Sequence, residues 1–256
     1  MNDEPDEAIG FHRSSFIVHR SAFSSPSAPP PHPQPRTRDE AGVMSLFPDP
    51  RFARGDIVAV GDELRVAVLR DAYRHGIFPW PHEAMPTPWF SPKKRAVIFF
   101  NELHVGRSLS KVQRRAPFRF TIDRAFETVI RACSATPRAD QDGTWITPKI
   151  IRAYTALHAA GDAHSIEAWN GDELVGGLYG IDAGGVFTGE SMFYLQPDAS
   201  KLALLHLVDQ LRARGATWLD IQVMTPHMAA LGAREIPRAR FLDLLAEAQE
   251  KGLTLF

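Results

Sequence analysis

The sequence is short of cysteine, of long apolar runs and of net charge, and each shortage excludes a class of protein. Cys133 is the single cysteine, so no intramolecular disulfide and no multi-cysteine metal site can form, and a reducing compartment suits the chain. No apolar run reaches the roughly 18 residues of a membrane span. The start, MNDEPDEAIG, is acidic and has no apolar signal core behind it. The expectation is a cytoplasmic protein with no membrane partner. Phosphate-binding and nucleophile motifs are missing too. There is no G-x-x-x-x-G-K-[ST], no G-x-S-x-G, and GGLYG at 176–180 lies inside an apparent strand, not at a strand-to-helix turn. The ten histidines show no metal-ligand spacing; His158 and His164 read as helix-end and strand residues. What is left is a protein expected to use neither cofactor nor metal.

The near-neutral total, with a formal net charge of −1, hides a local asymmetry. Residues 93–119 carry Lys93, Lys94, Arg95, Arg107, Lys111, Arg114, Arg115 and Arg119, against the one acid Glu102. Such a segment is either a solvated helix face or a surface for polyanions, which bind by releasing counterions. The charge alone leaves both open.

Residues 1–43 differ from the rest: six prolines fall within 26–35 and no apolar period is present, which predicts a disordered or polyproline tail. A folded pattern begins at Met44. A helix is expected over 62–75, ended by Gly76, followed by the proline- and aromatic-rich GIFPWPHEAMPTPWFSP, read as irregular. A short strand is expected at 96–100 and a basic helix at 106–115. Thr147 as N-cap, Pro148 at the first helical position and Gly161 as stop bound another helix. Strands over 164–169, 173–181 and 185–194 are separated by NGD and DAGG turns. A long amphipathic helix from about Asp198 to Gly215, a strand over 217–223, a helical turn and a last helix over 237–250 complete the chain. The fold class is α+β around a mixed sheet, with a small N-terminal α/β domain over 44–105 and a larger domain over 106–256.

Two strands carry unexpected polar residues. GVFTGESMFY, 185–194, is apolar or small except for Glu190 and its hydroxyl neighbours, and burying an unpaired carboxylate costs several kcal/mol or shifts its pKa. Without a bulge, Thr188, Glu190 and Met192 would share one face. In TWLDIQV, Asp220 and Gln222 alternate onto the face of Trp218. Each cluster has a plain structural reading: Glu190 paired with an arginine, or the Asp220 face turned to water. Two such clusters in neighbouring strands point to a shared cleft.

The blocks GIFPW, WFSP, GTWIT, AHSIE, LVGGLYG, GESMF, ASK and LDIQV occur in this order between about residues 57 and 245. Together they resemble the leucyl/phenylalanyl-tRNA–protein transferases. The resemblance implies an acetyltransferase-like C-terminal domain that uses no coenzyme A. It implies transfer of Leu or Phe, with Met a further candidate, from aminoacyl-tRNA to proteins with N-terminal Arg or Lys, marking them for degradation by the N-degron pathway. By the same resemblance, Trp80 and Trp145 stack on the terminal adenosine. Leu178, Phe187, Gly189, Met192 and Leu207 form the aminoacyl pocket, and Arg107, Lys111, Arg114 and Arg115 contact the tRNA. Glu190, Asp220 and Gln222 are the catalytic set, with Asp220 expected to orient and polarise the Gln222 amide. The block after LDIQV departs from the family, with Thr225 where asparagine is frequent. Two other readings stay open: an acyl-CoA or peptidoglycan-type aminoacyl transferase, and a tRNA-end binding protein without turnover. YLQPDASK before the long helix lacks the glycine-rich turn that acyl-CoA binding wants.

Overall fold

The computed structural model describes residues 36–38, 44–81, 86–136 and 144–256. Most of the expected tail, together with 82–85 of the proline-rich loop and 137–143, lies outside the described residues. Inside the tail segment, β1 (Arg36–Arg38) pairs antiparallel with β2 (Met44–Pro48).

The proline-rich stretch contains regular structure after all. β4 (Phe78–Pro79) and β3 (Ile57–Val60) each pair antiparallel with β5 (Pro88–Phe90) in a three-stranded sheet of order β3-β5-β4. Pro88 is tolerated because it opens its strand, and Trp89 compensates by packing on Phe47 and donating its indole N–H to Gly61 O at 2.9 Å. Helix α1 (Val66–Arg74) leads into this sheet, shorter at its start than the sequence predicts.

The main sheet has seven strands. These are β6 (Lys94–Phe99), β7 (Arg119–Ile122), β8 (Ala163–Asn170), β9 (Glu173–Asp182), β10 (Phe187–Tyr194), β11 (Trp218–Gln222) and β12 (Arg234–Pro237), in spatial order β12-β6-β11-β10-β9-β8-β7. Every neighbour pair is antiparallel except β10–β11, which is parallel and meets at Thr188 and Asp220. The meander β8-β9-β10 is the one the turn residues predict. β7 and β12, and helix α3 (Phe126–Ala135), are additional to the expectation. β6, which the sequence reading groups with the N-terminal segment, sits between β11 and β12 inside the large sheet.

Helices cover both faces. α2 (Arg107–Arg114), α5 (Ala199–Ala213) and α6 (Pro226–Ala230) pack their apolar sides on one face; α1, α3, α4 (Pro148–Ala159) and α7 (Arg238–Glu250) pack on the other. α4 starts as its sequence dictates: Thr147 Oγ1 accepts from the Ile150 N–H, Pro148 follows, and Ile150, Ile151, Tyr154 and Leu157 are buried. Such a cap contributes about 1 kcal/mol. The glycines of β9 set how closely the layers approach. A Cβ on Gly176 would lie 2.6 Å from that of Ala199 in α5, and one on Gly180 only 2.3 Å from the Thr188 carbonyl oxygen. GGLYG is therefore a packing surface within a strand. The core beside α1 and α3 runs without a break from Phe47, Val58 and Phe78 to Val129 and Tyr154, so the N-terminal segment and the main sheet share one interior. Arg238 reinforces the join by donating to the carbonyls of Ala53, Gly55 and Ser91.

Candidate active site

Past the single β10–β11 register pair of Thr188 and Asp220, a narrow cleft opens. Its walls come from Phe78, Pro79 and Trp80 at the end of β4, Trp145 before α4, Gly189 and Glu190 of β10, and Ile221, Gln222 and Val223 at the end of β11.

Glu190 owes its position to a bulge. Gly189 pairs with Gly180 and Ser191 with Tyr179, so Glu190 is an extra residue without a cross-strand partner. The bulge overturns the simple alternation. Thr188 and Glu190 face the site, but Met192 is turned into the opposite core with Phe187. Glu190 Oε1 accepts from Tyr73 Oη at 2.7 Å and from Gln222 Nε2 at 2.6 Å. Tyr73 in turn is hydrogen-bonded to Tyr154. Burial pushes the Glu190 carboxyl up to about 7. Its two hydrogen bonds and Arg95 work against that rise, and the Asp220 charge adds to it. Burial, followed by the neighbouring Glu190 charge, holds the Tyr73 phenol well above its ordinary value, so it serves Glu190 as a donor.

Asp220 is fully buried and belongs to an ion pair. Arg95 Nε reaches its Oδ1 at 2.8 Å and Arg95 Nη2 its Oδ2 at 2.6 Å, a bidentate geometry, and Thr188 Oγ1 donates to Oδ2 at 3.1 Å. Arg95 is itself 1% exposed and lies over the rings of Phe78 and Phe241. The solvent-facing reading of the Asp220 strand is therefore wrong, and Arg95 does not belong to the surface charge of 93–119.

Gln222 has φ +64°, a left-handed conformation that is uncommon for a residue other than glycine. This turn gives its backbone N–H to Asp220 Oδ1 at 2.8 Å and swings its side chain towards β10. Asp220 accordingly orients Gln222 through the backbone, and the side-chain amide is held by Glu190, not by Asp220 as the sequence suggests. With Nε2 engaged by Glu190, the Gln222 Oε1 acceptor has no donor among the described residues, and Gln222 lines the cleft.

Trp80 and Trp145 are half-buried beside each other, ring centroids 6.0 Å apart at 35°. Of the five expected pocket residues, Gly189 lines the cleft. Leu178, Phe187, Met192 and Leu207 are buried together in the core on the α5 side of the sheet. Arg107, Lys111, Arg114 and Arg115 recur at helical spacing along α2 and its end, all exposed, and none forms an ion pair among the described residues. The sequence reading missed Tyr73, Tyr154 and Arg95. The signal for Arg95 was a cation opening an otherwise apolar strand; for Tyr154 it was a hydroxyl on the apolar face of α4.

Comparison with known proteins now adds to this geometry. The family model for the leucyl/phenylalanyl-tRNA protein transferase matches residues 97–246, and the model for that family's N-terminal domain matches residues 62–93. The chain belongs to the leucyl/phenylalanyl-tRNA protein transferase family. It is 57% identical to the leucyl/phenylalanyl-tRNA–protein transferase of Chromohalobacter salexigens over 74% of this chain and 73% of that one. It is 50% identical to the enzyme of Anaeromyxobacter sp. strain Fw109-5 over 80% of this chain and 88% of the relative. With the enzyme of Syntrophobacter fumaroxidans it shares 51% over 79% and 87%. The match over residues 97–246 takes in Glu190, Asp220 and Gln222, and Arg95 lies between the two matched ranges.

Proposed function

We propose that the protein transfers Leu, and also Phe, from aminoacyl-tRNA to the N-terminal Arg or Lys of acceptor proteins in the cytoplasm. The acceptor's α-amine forms a peptide bond and the product enters N-terminal degradation. The observation that carries this reading is the Gln222–Glu190 pair on the wall of a cleft beside two tryptophans, in a chain of this family. No helix among the described residues is long and apolar enough to cross a membrane.

The chemistry follows from the groups present. The aminoacyl ester is already activated, so no nucleotide triphosphate is consumed. The acceptor arrives as an ammonium and must shed a proton. The free amine then attacks the ester carbonyl, forming the new C–N bond; the C–O bond to the ribose breaks, and the ribose oxygen leaves with a proton. Gln222 Oε1 accepts a hydrogen bond from the attacking amine and aims its lone pair. A glutamine amide is too weak a base to take the proton by itself, so it acts by orientation and the neighbouring ribose hydroxyl serves as the shuttle. Glu190 holds the amide in register and offers a negative end to the ammonium of the esterified amino acid, an interaction that favours its ionised form. Arg95, Asp220 and Tyr73 keep this pair in place.

Trp80 and Trp145 are proposed to hold the terminal adenosine; stacking on an aromatic contributes about 1–3 kcal/mol per base. The donor's apolar side chain is proposed to pass Gly189 into the layer of Leu178, Phe187, Met192 and Leu207, and the exposed face of Arg107, Lys111, Arg114 and Arg115 to meet the tRNA backbone. A parallel β10–β11 pair, with its one register pair at Thr188 and Asp220, in an otherwise antiparallel sheet supports an acetyltransferase-like domain, with the N-terminal segment as a smaller unit. The test offers leucyl-tRNA and a peptide beginning with Arg, with acetyl-CoA as a control donor, and follows the peptide's mass. Addition of leucine is expected. Acetylation, or tRNA binding with no transfer, would overturn the reading.

A further inference from the structure

A second cationic surface lies at the free edge of the main sheet. Trp169 of β8 stands opposite Arg119 of the edge strand β7. The Arg119 guanidinium lies 5.6 Å from the indole centroid, and that of Arg124, in the turn after β7, lies 6.0 Å from it. Both arginines are exposed, and neither forms an ion pair among the described residues. These two are held against one ring.

The ring is itself fixed. Trp169 Nε1 donates to Thr121 Oγ1 at 2.7 Å, and Thr121 Oγ1 donates to Glu167. Glu167 is fully buried and also accepts from Ser165 Oγ and from the backbone N–H groups of Arg124 and Ala125. The carboxylate is thus held by four neutral donors behind the indole and forms no ion pair with either guanidinium among the described residues. The same carboxylate anchors the backbone of Arg124, so one buried group fixes both the platform and one of the two cations above it. Pre-organised guanidiniums suit phosphate groups, because little side-chain freedom is lost on contact.

Arg115 follows α2 and Arg119 opens β7 four positions later, so their Cα atoms are at most about 14 Å apart across the sheet edge, within reach of neighbouring phosphates on one folded RNA. We propose that Arg119 and Arg124, braced on Trp169, form a second phosphate-contact patch, round the sheet edge from the basic α2 residues, that grips the body of the donor tRNA. This rests on the donor being a tRNA, as argued above. An acidic region of the acceptor protein is the competing occupant of such a patch, but the short chain distance from Arg115, at most about 14 Å, favours one long polyanion reaching round the sheet edge.

The test uses the full chain carrying Arg119→Gln and Arg124→Gln together, with two donors: leucyl-tRNA, and a leucyl ester of adenosine that has no tRNA body. For leucyl-tRNA, KM is expected to rise on the order of tenfold at moderate salt, with kcat kept. The slope of log affinity for uncharged tRNA against log salt should fall by about 2. The adenosine ester should react as it does with the parent protein. An unchanged KM and salt slope for tRNA would overturn the proposal, as would an equal loss with both donors. A rise confined to the KM of the acceptor peptide or protein would assign the patch to the acceptor and overturn it equally. Should no donor react even with the parent protein, the transfer reading fails on its own, and uncharged-tRNA binding by the two proteins still decides this proposal.

Discussion

Replacing Glu190 by glutamine removes a buried carboxyl while keeping its shape and its acceptor oxygen, so Tyr73 and Gln222 retain their partner. The perturbation isolates ionisation. In the unfolded chain this carboxyl has the ordinary glutamate value of 4.5, and in the fold burial raises it to about 7. Between these values the native state binds more protons than the unfolded state, so stability falls as pH rises. Below 4.5 both states are protonated and the group contributes nothing; above about 7 the full penalty is present, of about 3 kcal/mol. From pH 5.5 to 7.5 the parent protein should lose about 2 kcal/mol that the Glu190→Gln variant keeps. Urea unfolding of both proteins at several pH values, analysed as the difference between them, measures this directly, since every other titrating group cancels to first order. Parallel stability profiles across pH 5–8 would refute the reasoning, and would mean that the hydrogen bonds from Tyr73 and Gln222 outweigh burial.

Other substitutions separate the roles of the site. Arg95→Met strands Asp220 as an unpaired buried charge, and urea unfolding should show a loss of roughly 3–5 kcal/mol; the double change with Asp220→Leu should recover much of it. Trp80→Ala and Trp145→Ala should each raise KM for charged tRNA by about 5- to 150-fold, the equivalent of 1–3 kcal/mol of stacking, as read from initial rates of peptide leucylation. Gly180→Ala drives a methyl group into the Thr188 carbonyl oxygen and the Phe187 ring, so thermal unfolding should show a clear drop in Tm and activity should fall with it, through displacement of β10.

How much was legible in the sequence depended on whether the determinants were local. The Thr147–Pro148 start of α4, the NGD and DAGG turns and the Gly215 stop are local signals, and the elements they bound were found within a few residues. β4 and β5 were hidden because proline composition was weighed without the partner strand β3 that makes such short pairs stable. β7 and β12 are edge strands of four residues each, held by pairing that no local pattern announces. In the site, the presence of an interacting Glu190, Asp220 and Gln222 set was readable from polar residues in apolar strands. Their partners were not. The bulge at Glu190 and the left-handed turn at Gln222 are outcomes of strand pairing, and they decide that Glu190 takes the amide while Asp220 takes the backbone. Arg95, counted in sequence among surface cations, meets Asp220 across 125 residues of chain, a distance over which spacing carries no information.

The central claim is that the Gln222 amide, held by Glu190, orients the attacking amine. Gln222→Gly tests it cleanly, because glycine adopts the left-handed backbone at φ +64° without strain and keeps the N–H that binds Asp220. The decisive measurement is the single-turnover rate of leucine transfer from saturating leucyl-tRNA to an Arg-initiated peptide, beside the urea stability of the same protein. The account predicts a rate lowered on the order of 100-fold with stability unchanged or raised. A rate within a few-fold of the parent protein would contradict it.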